Sequence, residues 1–359
     1  MTKSYKTLLK IRLICLLLSL SILSGSCSEP TKPPLEPTPI QGSRISVQDR
    51  GSTAPGRNLP ISTRNFLVGT AGVIPPNFPN SSEEDYLVFL DEVPYTGELL
   101  GAYMDWSASD VIETIQFVDT YAVGVEPLVA LGFDINLVDD TYFSRHLPEI
   151  RNTIREILDT FDLEYLAFGV EVNRLIPEVS EAAFLDFVNT YRDIYDLVKF
   201  ESPDTKVFTI FQLEYLKGAA LLSGLEFDPH WQVLDLFTGK QDLVGLTVYP
   251  FLEYPTVGDI PLDYYQEIPE RIDLPIAITE MAWLSEDISI VQGSEGDQVT
   301  FLLGILESTQ GWNLEIMLYS FLYEPQGVDL FESAALNKTE GGAKEIYYYW
   351  LSLAALERE

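Results

Sequence analysis

Two apolar runs in this chain each end in a glutamate: Tyr165-Leu-Ala-Phe-Gly-Val-Glu171-Val-Asn173 and Pro275-Ile-Ala-Ile-Thr-Glu280-Met-Ala-Trp283. Runs so rich in Ile, Leu, Val and Phe belong to strands buried on both faces, as in a parallel sheet. A carboxylate at the end of such a strand is costly unless it is hydrogen-bonded, paired or set in a cleft. Two of them, 109 positions apart, point to a pair of carboxylates converging on one site. If their surroundings hold the two proton affinities apart, such a pair can divide acid work from base or nucleophile work.

The elements that must position them recur along the chain. Strand-like runs at Phe66–Ala71, Glu98–Met104, Val125–Leu131, Glu164–Val170, Lys206–Phe211, Leu243–Val248, Pro275–Thr279 and Leu314–Tyr319 alternate with amphipathic helical patterns. Ser81-Ser82 before Glu83-Glu84 and Ser109-Asp110 are helix-start signals. Phe184, Phe187, Val188, Tyr191, Ile194, Tyr195 and Val198 share one face at helical spacing, and a last helix spans Gly342 to Arg358. Eight βα units predict a (β/α)8 TIM barrel, formed as a single domain over residues 61–359. A doubly wound open sheet is the alternative, but it would call for a glycine-rich first turn, which Gly69-Thr-Ala-Gly72 matches poorly.

Barrel active sites sit at the C-terminal ends of the strands. Glu171 and Glu280 fall there on strands four and seven, with Asp105 and Trp106 on strand two, Gln212 and Glu214 on strand five, Tyr249 on strand six, and Tyr323 and Glu324 after strand eight. Such a mouth is rich in carboxylates, amides and aromatic rings, a composition suited to sugars. It offers no metal-ligand set, no Gly-rich phosphate loop and no cofactor signature. Trp231, Trp312 and Trp350 read as packing residues.

The N-terminus points to export. Lys3, Lys6, Lys10 and Arg12 precede an apolar run from Leu13 to Leu23, too short to span a bilayer comfortably, and then Ser24-Gly25-Ser26-Cys27. Residues 1–26 read as a signal peptide. Leu23-Ser-Gly-Ser-Cys27 resembles a bacterial lipobox in which Cys27 would be the lipidated first residue, with Leu one position further from the Cys than usual; an ordinary signal peptide with a coincidental Cys is the other reading. Cleavage would remove Cys15 and leave Cys27 as the one cysteine, which excludes a disulfide within the mature chain. Residues 27–60 form a proline-rich tether. The expected location is the cell envelope, with a membrane contact through the lipid anchor. The formal charge of −33, from 22 basic and 55 acidic residues, disfavours nucleic acid and other polyanions.

The motifs resemble those of the retaining clan A glycoside hydrolases. Phe168-Gly-Val-Glu171-Val-Asn is similar to that clan's G-N-E-x-N segment, Ile278-Thr-Glu280-Met-Ala-Trp283 to its T-E-x-G-W segment, and Val244-Gly-Leu-Thr-Val-Tyr249-Pro-Phe to the strand-six segment of the endo-β-1,4-galactanase group. The likeness covers roughly residues 66–350. It implies a double displacement with retention on a carbohydrate, one expected to be a neutral β-glycan, without a cofactor. Glu280 would be the ionised nucleophile and Glu171 the acid and then base. Tyr249 would hold Glu280 in line, and Trp283 and Trp106 would stack on sugar rings. Asn173, Asp105 and Gln212 would be further substrate contacts.

Three positions depart from the family pattern. Val170 stands where an Asn binds the substrate's 2-hydroxyl, strand two ends in Tyr103-Met-Asp105-Trp106 without the family's arginine, and the strand-eight tryptophan is replaced within Leu318-Tyr-Ser-Phe321. These departures leave open a glycan-binding protein that has lost hydrolysis, and more remotely a barrel whose mouth is incidental. For Tyr249, plain packing before Pro250 is as good a reading as a site role.

Overall fold

The computed structural model describes residues 56–218 and 228–359. The signal peptide, Cys27 and the tether up to residue 55 lie outside the described residues. Residues 56–60, assigned above to the tether, are docked on the barrel. The Arg57 backbone N–H donates to Ser352 Oγ at 3.0 Å, and its guanidinium pairs with Glu345 and lies over the rings of Tyr348 and Tyr349.

Nine parallel strand segments form the sheet: β1 (Leu67–Ala71), β2 (Leu99–Asp105), β3 (Glu126–Gly132), β4 (Tyr165–Phe168), β5 (Lys206–Phe208), β6 (Ile210–Gln212), β7 (Val244–Val248), β8 (Ile276–Met281) and β9 (Leu314–Tyr319). Their order is β5-β4-β3-β2-β1-β9-β8-β7-β6. Because β5 and β6 are two halves of one strand interrupted at Thr209, the two edges of that sheet belong to the same piece of chain. The ring closes there: Ile210 N–H donates to Gly169 O, and Gly245 N–H donates to Thr209 O. The fold is therefore the expected TIM barrel of eight strands with the fifth in two pieces, and the strand carrying Glu280, seventh by that count, is β8.

Two apolar layers result. Leu99, Leu128, Tyr165, Phe208, Leu243, Ala277, Ile316 and Leu318 fill the barrel interior. The alternate residues, among them Leu100, Val129, Leu166, Val207, Ile278 and Met317, face the helices. At the base Glu315 accepts from Tyr165 Oη at 2.8 Å and pairs with Lys206.

The helices follow their sequence signals. In α1 (Glu83–Glu92) Ser82 caps the first turn in a reciprocal box with Asp85. Next come α2 (Val111–Tyr121) and α3 (Tyr142–Thr160). α4 (Glu181–Glu201) buries Phe184, Phe187, Val188, Tyr191, Ile194 and Val198, the stripe read from spacing. After β6 comes one turn, α5 (Leu213–Leu216), then α6 (Glu267–Arg271) and α7 (Glu295–Ser308). Beyond β9 a pair of short parallel strands, β10 (Phe321–Tyr323) and β11 (Ala335–Asn337), leads to α8 (Glu345–Ala354), shorter than the expected 342–358.

Candidate active site

Glu280 reaches the mouth through an irregularity in its strand. In a regular β8 the alternation that points Ala277 inward would point Thr279 inward and Glu280 toward the helices. The pairing with β7 skips one residue instead: Leu246 faces Ile278, but Thr247 faces Glu280. The bulge at Thr279 returns Glu280 to the inner face. It is held by Tyr103 of β2, whose hydroxyl donates across the barrel to Thr279 O at 2.9 Å, and by Thr279 Oγ1 donating to Leu246 O.

Glu280 is only 7% exposed. It accepts a short hydrogen bond from Tyr249 Oη, which also lies 2.9 Å from Ser320 Oγ. Burial, together with the charge of Glu171, pushes the Glu280 carboxyl up to about 8, and the Tyr249 hydrogen bond works against that rise.

Glu171 is placed by a turn rather than a strand. After β4, Gly169 has φ of 90°, and a Cβ there would stand 2.5 Å from Phe187 and Val172 side-chain atoms, so only glycine lets the chain turn so closely. Glu171 itself is left-handed (φ 49°, ψ 43°) and starts the short 3-10 turn Val172–Leu175. That conformation is unfavourable for a residue with a β-carbon and marks a position held by its surroundings. Two groups hold the carboxylate: Thr247 Oγ1 donates to Oε1 at 2.8 Å, and Arg174 Nη1 to Oε2 at 2.6 Å. Arg174 also lies over the Tyr215 ring.

Thr247 thus joins the pair, facing Glu280 across the β7–β8 ladder while its hydroxyl binds Glu171. The structure brings the two glutamates together as their strand positions predicted, with Tyr249 on one of them. Val170, partly exposed, packs against the interior cluster at the same mouth.

The remaining candidates are placed differently. Trp283 is fully buried, its indole N–H donating to Gln292 O and its ring edge-on to Phe251, so no face is left for a sugar. Trp106 is buried beside His146 of α3 rather than lining the mouth. Asn173 is fully buried and clasps the backbone of Gln212, donating to its carbonyl and accepting from its N–H, both at 2.8 Å. Gln212 is equally buried; its amide donates to Glu214 at 2.7 Å and accepts from Tyr215 N–H. Asp105 accepts from the N–H and hydroxyl of Ser107, fastening its own loop. Polar and aromatic side chains at strand ends look alike in sequence, whether they face the mouth or brace it from behind, and only their contacts tell the two apart.

Arg174, Thr247, Tyr103 and Ser320 have no site role in the sequence reading, whereas Glu214 falls at the mouth on strand five by position. Only Arg174 carried a signal, three residues after Glu171 and so one turn away from it. Among the described residues no group of three or more His, Cys, Asp or Glu is placed to hold a metal ion.

Solved structures similar in fold include β-glycosidases. A β-glucosidase from Exiguobacterium marinum superposes with a TM-score of 0.57 at 12% identity, covering 81% of this chain and 98% of that one. A β-glycosidase from Pyrococcus horikoshii gives 0.57 at 13%, with 81% and 94% covered. An exo-β-1,4-mannosidase from Opitutaceae bacterium strain TAV5 gives 0.57 at 13%, with 81% and 59% covered. The fold is the (β/α)8 barrel that these proteins share. No family model and no curated protein matches the chain by sequence. At these identities the likeness is one of fold, and what the site does must rest on its own geometry.

Proposed function

We propose that this protein is an exported glycoside hydrolase, held at the cell envelope by a lipid on Cys27, that cleaves a neutral β-linked glycan by double displacement. The observation that carries this reading is the convergence of Glu171 and Glu280 on Thr247 at the C-terminal mouth of a glycosidase-type barrel. Glu280, ionised, would attack the anomeric carbon. Tyr249 orients it and stabilises its charge. Glu171 would protonate the leaving oxygen and then deprotonate the incoming water. A neutral glycan fits a chain of net charge −33.

Two observations favour a second reading, a glycan-binding protein without hydrolysis. Glu171 is ion-paired with Arg174, whereas burial pushes the Glu280 carboxyl, which the first step needs ionised, up to about 8. Val170 in addition removes a contact to the 2-hydroxyl.

A screen of aryl β-glycosides and plant or algal polysaccharides separates the two. Turnover by the wild type with retained anomeric configuration supports the hydrolase; binding without turnover supports the second reading. For the anchor, Cys27→Ser should move the protein out of the membrane fraction, and an unchanged distribution refutes it.

A further inference from the structure

Beneath the two glutamates runs a continuous chain of buried polar contacts. From the turn that begins at Glu171, Asn173 binds both backbone groups of Gln212. The Gln212 amide donates to Glu214 Oε2 at 2.7 Å. Glu214 Oε1 accepts from Tyr249 N–H at 3.0 Å and from Tyr264 Oη at 3.2 Å. Tyr249 Oη then donates to Glu280. All of these side chains are buried, and Glu214 is completely so. A buried carboxylate is costly to keep, and a hydrophobic residue would fill its place more cheaply unless its hydrogen bonds set a geometry that matters.

We propose that Glu214 is a positioning residue: by binding Tyr249 N–H and the Gln212 amide at once, it fixes the Tyr249 hydroxyl on Glu280 in register with the turn that carries Glu171. Glu214 touches neither glutamate and acts only through Tyr249 and Gln212. The inference rests on reading Glu280 as the reacting carboxyl. Burial pushes the Glu214 carboxyl up to about 8, the charge of Glu253 adding to the rise and the hydrogen bonds from the backbone and from Tyr264 opposing it.

The hydrogen-bond directions supply the test. In Glu214→Gln the new amide N–H₂ faces the Gln212 N–H₂, donor against donor. The exchange Gln212→Glu with Glu214→Gln restores every pairing: residue 212 accepts from Tyr215 N–H and from the residue 214 amide, whose oxygen still accepts from Tyr249 and Tyr264.

Crystal structures of the two variants and of the wild type should show the Tyr249 hydroxyl displaced from Glu280 in the single variant and returned in the exchange. On an aryl β-glycoside that the wild type cleaves, kcat should fall roughly tenfold to a hundredfold in Glu214→Gln while KM stays within about twofold, and the exchange should recover most of it. Tyr249 still on Glu280 in a folded Glu214→Gln variant, or an exchange that folds without restoring Tyr249, overturns the proposal. If the single variant fails to fold, the exchange and Tyr264→Phe carry the test. Tyr264→Phe removes one donor and should lower kcat about threefold, and an undisturbed Tyr249 with unchanged kcat in that variant overturns the proposal. A wild type that cleaves nothing refutes the hydrolase reading alone, because the crystallographic comparison still decides what Glu214 does.

Discussion

The two glutamates meet at one mouth but are supported by opposite kinds of structure. Glu280 stands on a central strand, turned inward by a bulge, almost closed off from water, with the Tyr249 hydroxyl on it and Ser320 beyond. Glu171 stands on a glycine-led turn with a left-handed backbone, nearly as enclosed as Glu280, and paired with Arg174. The sheet side fixes position through the barrel's own hydrogen-bond ladder and raises proton affinity through burial. The turn side fixes position through specific side chains and supplies a compensating charge. A pair built in this way keeps its two carboxyls chemically distinct even though both are glutamate.

The largest test of that contrast removes the reacting carboxyl on the sheet side. Glu280→Gln should abolish turnover by about a thousandfold or more, while thermal stability at neutral pH rises, because the wild-type carboxyl, pushed up to about 8 by burial, must take up a proton on folding and an amide need not. Turnover that survives removes Glu280 from the chemistry.

Next is pH. If Glu280 must be ionised while Glu171 carries a proton, kcat/KM should follow a bell-shaped pH profile with one limb near 8, set by Glu280. Tyr249→Phe deletes a hydrogen bond that lowers this proton affinity, so the limb should move above 8 and kcat drop roughly tenfold. Stability should change the other way. Glu214 and Glu280 bind protons more tightly folded than unfolded, so urea unfolding should show stability falling as pH rises from about 4.5 to about 8, then flattening. Glu280→Gln should flatten part of that slope, and a limb near the ordinary carboxylate range would erase the contrast between the two sides.

The smallest effect is expected on the turn side. Arg174→Met leaves Glu171, a group 10% exposed, without its cation. It should cost about 1–3 kcal/mol of stability by urea unfolding, with Arg174→Lys costing less. No loss in either variant would mean that the turn holds Glu171 without the ion pair.

Much of this architecture could be read from residue order. Eight apolar runs alternating with helical stripes suffice for a barrel, because each run must be buried on both faces, and barrel topology alone then puts Glu171 and Glu280 at the same end. The interruption at Thr209 was not legible, since Lys206–Phe211 reads as one strand in which β-branched Thr209 is an ordinary strand residue. Nor were the parts played by Trp283, Asn173 and Gln212. Their residue types suit a sugar site, and only the surrounding contacts show that each is used up in packing or in backbone hydrogen bonds.

The sequence by itself determined the fold class, the strands that end in carboxylates and the end of the barrel where those carboxylates meet, because periodicity and burial are local properties of the chain. The tertiary structure decided the rest. The inward turn of Glu280 depends on a one-residue slip against β7, braced from the opposite wall by Tyr103. The engagement of Glu171 depends on Thr247, seventy-six positions away. The network through Glu214 joins five separate segments, those of Asn173, Gln212, Tyr249, Tyr264 and Glu280. Each of these is a contact between residues distant in the chain, and its energy exists only once the barrel has closed.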